Sequence, residues 1–148
     1  MPEVPALPGS LSELVALVFA DGGALSSALQ GFEPREGQRQ MAAALAETLA
    51  ANGTLLVEAG TGTGKTLAYL IPALLSGRRV LISTGTKTLQ EQILSKDIPA
   101  VSAALGRPIR ATVMKGRSNY VCLHRLEHAK AGTFKTLADV SAYRLIAD

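Results

Sequence analysis

A glycine-rich stretch near the middle of the chain constrains its fold more than any other feature. The stretch reads Ala59-Gly60-Thr61-Gly62-Thr63-Gly64-Lys65-Thr66 and has the Gly-Lys-Thr ending of a Walker A phosphate-binding loop, with alanine in place of its first glycine. Glycines let the backbone turn its amides toward phosphate oxygens, and the N-terminus of the following helix adds a favourable dipole. The alternative is a plain glycine-rich turn with a solvated lysine.

The two residues that end this loop have the most specific predicted roles. Lys65 is expected to reach the β- and γ-phosphates of a nucleoside triphosphate. The hydroxyl of Thr66 is expected to help hold a Mg²⁺ ion. Both are therefore candidate catalytic residues, and the whole loop is a candidate ATP site.

The pattern around the loop predicts the fold class. Residues 54–58, 79–83 and 110–114 read as short buried strands, whereas 35–51 and 65–76 are rich in helix formers with periodic apolar positions. Strands that alternate with helices at this spacing imply right-handed crossovers. The sequence thus predicts an α/β P-loop NTPase (RecA-like) fold, a parallel sheet with helices on both faces that is incomplete at the C-terminal end.

Length and charge limit the possibilities further. With 148 residues, 47% of them hydrophobic, the chain is long enough for one domain or part of one. The formal charge is only +3, but six basic residues and one acid lie between Arg107 and Lys130. Clustered basic residues attract phosphate backbones, although an ordinary solvated surface would show the same pattern.

The single cysteine and the N-terminus favour a soluble cytoplasmic protein without a membrane anchor. Cys122 cannot form an internal disulfide, and the N-terminus lacks the basic start of a signal peptide. The apolar run 14–20 is too short to span a bilayer. His124 and His128 have helical i, i+4 spacing and could join Cys122 in a zinc site, although a fourth ligand would be needed.

Four segments in order resemble the XPD-like superfamily 2 helicases, in particular their bacterial DinG and YoaA branch. Phe32, Arg35, Gln38 and Met41 resemble the Q motif, and the glycine-rich loop resembles motif I. The segment 83–92 resembles motif Ia, and 115–122 resembles the approach to the first iron-sulfur cysteine of that branch. The similarity runs from about Leu11 to Ala129.

The resemblance implies ATP-dependent unwinding of DNA in repair and replication restart, with single-stranded and forked DNA as partners. Gln38 would read adenine, because an amide can pair with both N6 and N7 of that base, and Phe32 could stack on it. Arg35 belongs to the same nucleotide-binding set. Thr84, Thr86 and Gln90 would lie near the single-strand backbone, where hydroxyls and amides contact phosphates without reading sequence.

Two parts of the family pattern are missing from this sequence. Cys122 matches the first of four ligands to a 4Fe-4S cluster, but the family's other three cysteines lie downstream and this sequence holds no second cysteine. The Asp-Glu-Ala-His that supplies the catalytic acid in the family is also not found here. The isolated chain is therefore expected to be inactive.

The sequence is interpreted as the N-terminal part of a DinG/YoaA-like helicase that is cut short. Residues 1–31 would be a lead-in with short helices, 32–114 the first part of motor domain 1, and 115–148 the start of the cluster region. Two alternatives stay open: another P-loop enzyme such as a small-molecule kinase, and a nucleotide-binding module that does not hydrolyse ATP.

Overall fold

The structure, a computed structural model, describes residues 9–129, 134 and 136–147. It divides into two compact units, residues 1–113 and 114–148. The first eight residues of the predicted lead-in lie outside the described residues. Among the described residues, no helix is both long enough and apolar enough to cross a membrane.

The first unit is built mainly from helices. In chain order they are α1 (Leu11–Val18), α2 (Ala24–Ala28), α3 (Glu36–Ala50), α4 (Lys65–Leu75), α5 (Lys87–Gln92) and α6 (Ile98–Ala104), with a π-helical turn at Ile93–Asp97 between the last two. The helix α1 starts with a capping box, in which Ser10 and Glu13 exchange side-chain to backbone hydrogen bonds.

The core of this unit lies where α3 and α4 pack against each other and against α1. Ala42 and Ala46 of α3 are fully buried, and these small side chains let neighbouring helices approach closely. Ile71 of α4 and Phe19, just after α1, fill the space between them. This packing fixes the start of α3 beside the start of α4.

The parallel sheet is not confirmed. Among the described residues no segment forms a regular strand, and 54–58, 79–83 and 110–114 carry no ladder of backbone hydrogen bonds. Leu56 is 98% exposed and Leu81 is 95% exposed. A strand exists only through hydrogen bonds with a neighbour, and here these apolar segments are not paired with one another.

The second unit contains three short elements in its described part. They are a 3₁₀ turn (Arg117–Asn119), α7 (Leu123–Ala129) and α8 (Leu137–Ala147). The Tyr120 hydroxyl accepts a hydrogen bond from the Lys115 amide, which closes the segment around the 3₁₀ turn.

Candidate nucleotide-binding site

The glycine-rich loop, residues 59–66, connects the exposed segment 54–58 to α4 and is hereafter the P-loop. Gly62 and Gly64 have φ values of +76° and +81°, a backbone conformation that side chains with a Cβ rarely adopt. Gly64 is also the N-cap of α4, and its carbonyl accepts a hydrogen bond from the Ala68 amide. The predicted order of loop and helix is therefore confirmed.

Two side chains from the start of α3 hold the P-loop from outside. Gln38 donates from Nε2 to the carbonyl oxygen of Gly64 over 3.0 Å. The guanidinium of Arg35, the N-cap residue of α3, donates to the carbonyl oxygen of Gly62. Both acceptors belong to glycines with positive φ, so these contacts fix the loop at its two unusual backbone positions.

Gln38 is the only polar or charged side chain in the buried core of the described residues, with 4% exposure. Its Oε1 atom is buried and has no hydrogen-bond partner among them. An acceptor left in this state costs free energy unless a donor reaches it. The side chain thus braces the P-loop with its nitrogen while its oxygen still needs a partner.

Lys65 folds back over the P-loop. Its ammonium donates to the carbonyl oxygens of Ala59 at 2.7 Å and Gly60 at 2.6 Å. An ammonium has three N–H donors, so two are used by the loop and one is left for a phosphate oxygen. Lys65 therefore closes the P-loop. It can donate its third N–H to a phosphate oxygen from the same position, or donate after breaking one of its hydrogen bonds to the loop carbonyls.

Thr66 occupies the first turn of α4, with Tyr69 one turn later on the same helix. Burial raises the pKa of the Tyr69 hydroxyl above its ordinary value; a hydrogen bond with the Thr66 side chain lowers it in part, and the charge of Asp97 raises it further. Tyr69 was not predicted as a site residue. Its i, i+3 spacing from the predicted Mg²⁺ ligand could have identified it.

A cavity of about 340 Å³ joins the P-loop to one face of α3. Its volume falls in the range of roughly 300–1,000 Å³ that is usual for small-molecule sites. The helix α3 contributes Gly37, Gln38, Gln40, Met41 and Ala44, and the P-loop side contributes Val57, Glu58, Ala59, Gly60, Thr63 and Lys65.

Some of these lining residues were not predicted. Gly37, Gln40 and Ala44 share a helical face with Met41, which the Q-motif resemblance already included, and this i, i+3, i+4 and i+7 spacing is the pattern that could have found them. Glu58 also lines the cavity and brings a carboxylate close to the P-loop. By contrast, Phe32 is half-buried against the hydrophobic core and does not line the cavity.

The predicted DNA contacts lie at the start of α5. Thr86 is the N-cap of this helix, and its hydroxyl accepts a hydrogen bond from the Leu89 amide. The Thr84 hydroxyl donates to the carbonyl of Thr86 over 3.1 Å. Gln90 lies one turn into the helix. The hydroxyls thus organise the loop before α5 and bring the three residues into one short segment.

The residues proposed for metal chemistry in the second unit do not form a site. Cys122 is exposed with a free thiol, and no group of three His, Cys, Asp or Glu side chains that could hold a metal occurs in the described ranges. The rings of His124 and His128 are 4.2 Å apart, and His128 Nδ1 contacts the carbonyl of His124. The zinc alternative therefore lacks a ligand set.

Comparison with known proteins identifies the family. The DEAD/DEAH box helicase family model matches residues 35–140. The chain is similar to the ATP-dependent DNA helicase YoaA of Escherichia coli K12, with 55% identity over 74% of this chain and 17% of that protein. It is also similar to YoaA of Haemophilus influenzae, with 43% identity over 88% of this chain and 21% of that protein.

A third relative carries a different activity in its name. The 3'-5' exonuclease DinG of Bacillus subtilis is 43% identical over 70% of this chain and 12% of that protein. The chain thus spans about a fifth or less of the length of these relatives. No solved structure matches the chain. Because the family model covers well over half of its residues, the chain belongs to the DEAD/DEAH box helicases, in the branch that contains YoaA and DinG.

Proposed function

We propose that this chain is the nucleotide-binding start of an ATP-dependent DNA helicase of the DinG/YoaA type, which couples ATP hydrolysis to DNA unwinding in repair and replication. The observation that carries the proposal is the P-loop itself, held by Arg35 and Gln38 at the two positive-φ glycines and open to a cavity. A glycine-rich turn without a ligand would not need this external support.

The residues around the cavity fit ATP. Gln38 lines the cavity, and its buried Oε1 atom is an acceptor without a partner that suits the N6 amino group of adenine. Lys65 also lines the cavity, and its ammonium suits phosphate oxygens. Arg35 does not line the cavity and serves the site through its contact with the loop.

Phosphoryl transfer depends on positioning and on charge stabilisation. Lys65 would stabilise charge on the β- and γ-phosphates, and Thr66 would hold Mg²⁺ at the start of α4. When bound, Mg²⁺ would neutralise charge on the phosphate oxygens. The amides of residues 60–64 would orient the phosphates, since a P-loop presents its N–H groups to the anion.

The DNA partner is proposed for the segment before α5. Thr84, Thr86 and Gln90 are polar without charge, which suits contacts to a single-strand backbone that must slide past. Single-stranded and forked DNA are the proposed substrates. A cytoplasmic location follows from this role.

We propose that the sheet and the domains are complete only in the full-length protein. Residues 54–58, 79–83 and 110–114 are apolar, and we infer that they become parallel strands once neighbouring strands supply hydrogen bonds. Residues 1–31 would precede motor domain 1, which starts with 32–114. Residues 115–148 would then form the start of the iron-sulfur cluster region.

The iron-sulfur cluster does not fit the described residues, because they supply one thiol, Cys122, where four are required. We propose Cys122 as one ligand of a 4Fe-4S cluster in the complete protein only. No step of ATP hydrolysis is assigned to it.

The test is DNA-stimulated ATP hydrolysis and strand separation by the full-length protein and its Lys65→Ala variant. Loss of a preorganised charge-stabilising donor lowers turnover by roughly 100-fold or more. The exposed Lys96, on the π-helical turn, gives the matched control Lys96→Ala, which should retain activity. Full activity in Lys65→Ala would remove the motor interpretation, whereas ATP turnover without unwinding would favour another P-loop enzyme.

A further inference from the structure

The carbonyl oxygen of Gly60 accepts two hydrogen bonds from side chains of the P-loop. The Lys65 ammonium lies 2.6 Å from this oxygen, and the Thr63 hydroxyl lies 3.0 Å from it. A backbone carbonyl has two lone pairs, so these two donors use its full capacity as an acceptor. All three residues line the cavity, which places this small hydrogen-bond network beside the proposed nucleotide.

The hydrogen bonds of Lys65 determine where its last N–H group points. Its ammonium carries three N–H groups, and two of them donate to the carbonyl oxygens of Ala59 and Gly60. A single hydrogen bond would leave the ammonium free to rotate about the line between its nitrogen and the acceptor. Two hydrogen bonds prevent this rotation, so the direction of the third N–H depends on the Gly60 carbonyl.

Thr63 is the stiffer of the two partners of the Gly60 carbonyl. Lys65 has a flexible four-carbon stem with about 2 kcal/mol of rotamer entropy, and Gly60 is an exposed glycine whose backbone has wide conformational freedom. Thr63 is half-buried, and its branched side chain restricts rotation about χ1. Its hydroxyl therefore gives the Gly60 carbonyl a support that Lys65 alone does not provide.

We propose that Thr63 is a positioning residue that directs the Lys65 ammonium toward a phosphate by holding the Gly60 carbonyl. Without the Thr63 hydroxyl, this carbonyl can turn with its peptide unit, and the third N–H of Lys65 loses its fixed direction. The inference rests on the proposed function. It gives a role to a position that the Walker A pattern leaves open to any residue.

The test measures ADP affinity of the full-length protein by calorimetry. Thr63→Val keeps the branched shape and removes the hydroxyl, so it should weaken ADP binding about fivefold, the equivalent of one net hydrogen bond. Thr63→Ser keeps the hydroxyl and should bind ADP like the wild type. Thr48→Val is the matched control, because it removes a threonine hydroxyl that donates over 2.7 Å to the carbonyl of Ala44 on α3, outside the P-loop. Its ADP affinity should be unchanged.

A double-mutant cycle with Lys65→Ala tests whether Thr63 acts through Lys65. Lys65→Ala should weaken ADP binding by itself, and adding Thr63→Val should then change nothing further. An unchanged affinity in Thr63→Val, an equal loss in Thr63→Ser or in Thr48→Val, or a full additional loss in the double variant would each overturn the proposal. If the wild-type protein binds no ADP, the proposed function fails first, so the two failures are distinguishable.

Discussion

The side-chain amide nitrogen of Gln38 lies 3.0 Å from the carbonyl oxygen of Gly64, so a residue from α3 supports the last glycine of the P-loop. Gln38 and Gly64 are 26 residues apart in the sequence. They meet because α3 packs on α4. Their contact also makes Gly64 sensitive to any added side chain. A Cβ at Gly64 would clash with Nε2 of Gln38.

The glycines of the P-loop should therefore tolerate alanine unequally. We expect Gly64→Ala to abolish nucleotide binding, because φ is +81° and the new methyl group meets Gln38. Gly62→Ala should cost about 1–2 kcal/mol from backbone strain alone, since nothing lies within 4 Å of its Cβ. Gly60→Ala is the control, with only the Thr63 methyl group at 3.9 Å. Thermal unfolding and ADP titration of the full-length variants measure the loss of stability and of nucleotide binding at each position. Equal losses at all three glycines would contradict the prediction.

Adenine selection should depend on Gln38. The buried Oε1 atom matches the N6 amino group of adenine but opposes the O6 acceptor of guanine. Gln38→Ala should weaken ATP use and reduce the preference for ATP over GTP by about tenfold. The exposed Gln30 provides the control Gln30→Ala. Turnover of both nucleotides is compared, and an unchanged ratio would leave Gln38 with the loop-supporting role only.

The exposed apolar segments make a prediction that distinguishes the isolated chain from the full-length protein. Leu56 is 98% exposed here, so Leu56→Ala should change the unfolding free energy of residues 1–148 by less than about 0.5 kcal/mol. In the full-length protein, where we propose a buried strand, the same change should cost about 2–5 kcal/mol.

Leu17 on α1, 66% exposed, is the control, because Leu17→Ala should have a small effect in both proteins. Chemical denaturation of the two pairs of variants provides the measurement. A small effect of Leu56→Ala in the full-length protein would show that residues 54–58 do not become a buried strand.

Residues 1–148 alone should neither hydrolyse ATP nor show iron-sulfur absorbance. Hydrolysis requires a positioned water and charge stabilisation from groups beyond the P-loop, and the family's Asp-Glu-Ala-His is not found in this sequence. Phosphate release is measured with and without single-stranded DNA. Turnover by the fragment that disappears in Lys65→Ala would mean that a catalytic acid is present after all, with Glu58 the first candidate because it lines the cavity.

The sequence by itself determined the local features of this protein. The capping box at Ser10 and Glu13, the helix 36–50 and the P-loop followed by α4 all depend on short-range chemistry. Glycine spacing, helix propensity and cap residues act over a few positions, so they can be read without knowing the fold. The family resemblance rested on the same local motifs, and the match to residues 35–140 confirmed it.

Only the tertiary structure decided which distant groups meet. Arg35 and Gln38 reach the carbonyls of the P-loop, and Phe32 packs on the core, because α3 docks on α4 through buried alanines. The predicted strands lack ladders of backbone hydrogen bonds because their formation also depends on distant segments. Strand pairing is a non-local interaction that needs neighbouring strands, and the composition of residues 54–58 or 79–83 cannot supply the partner.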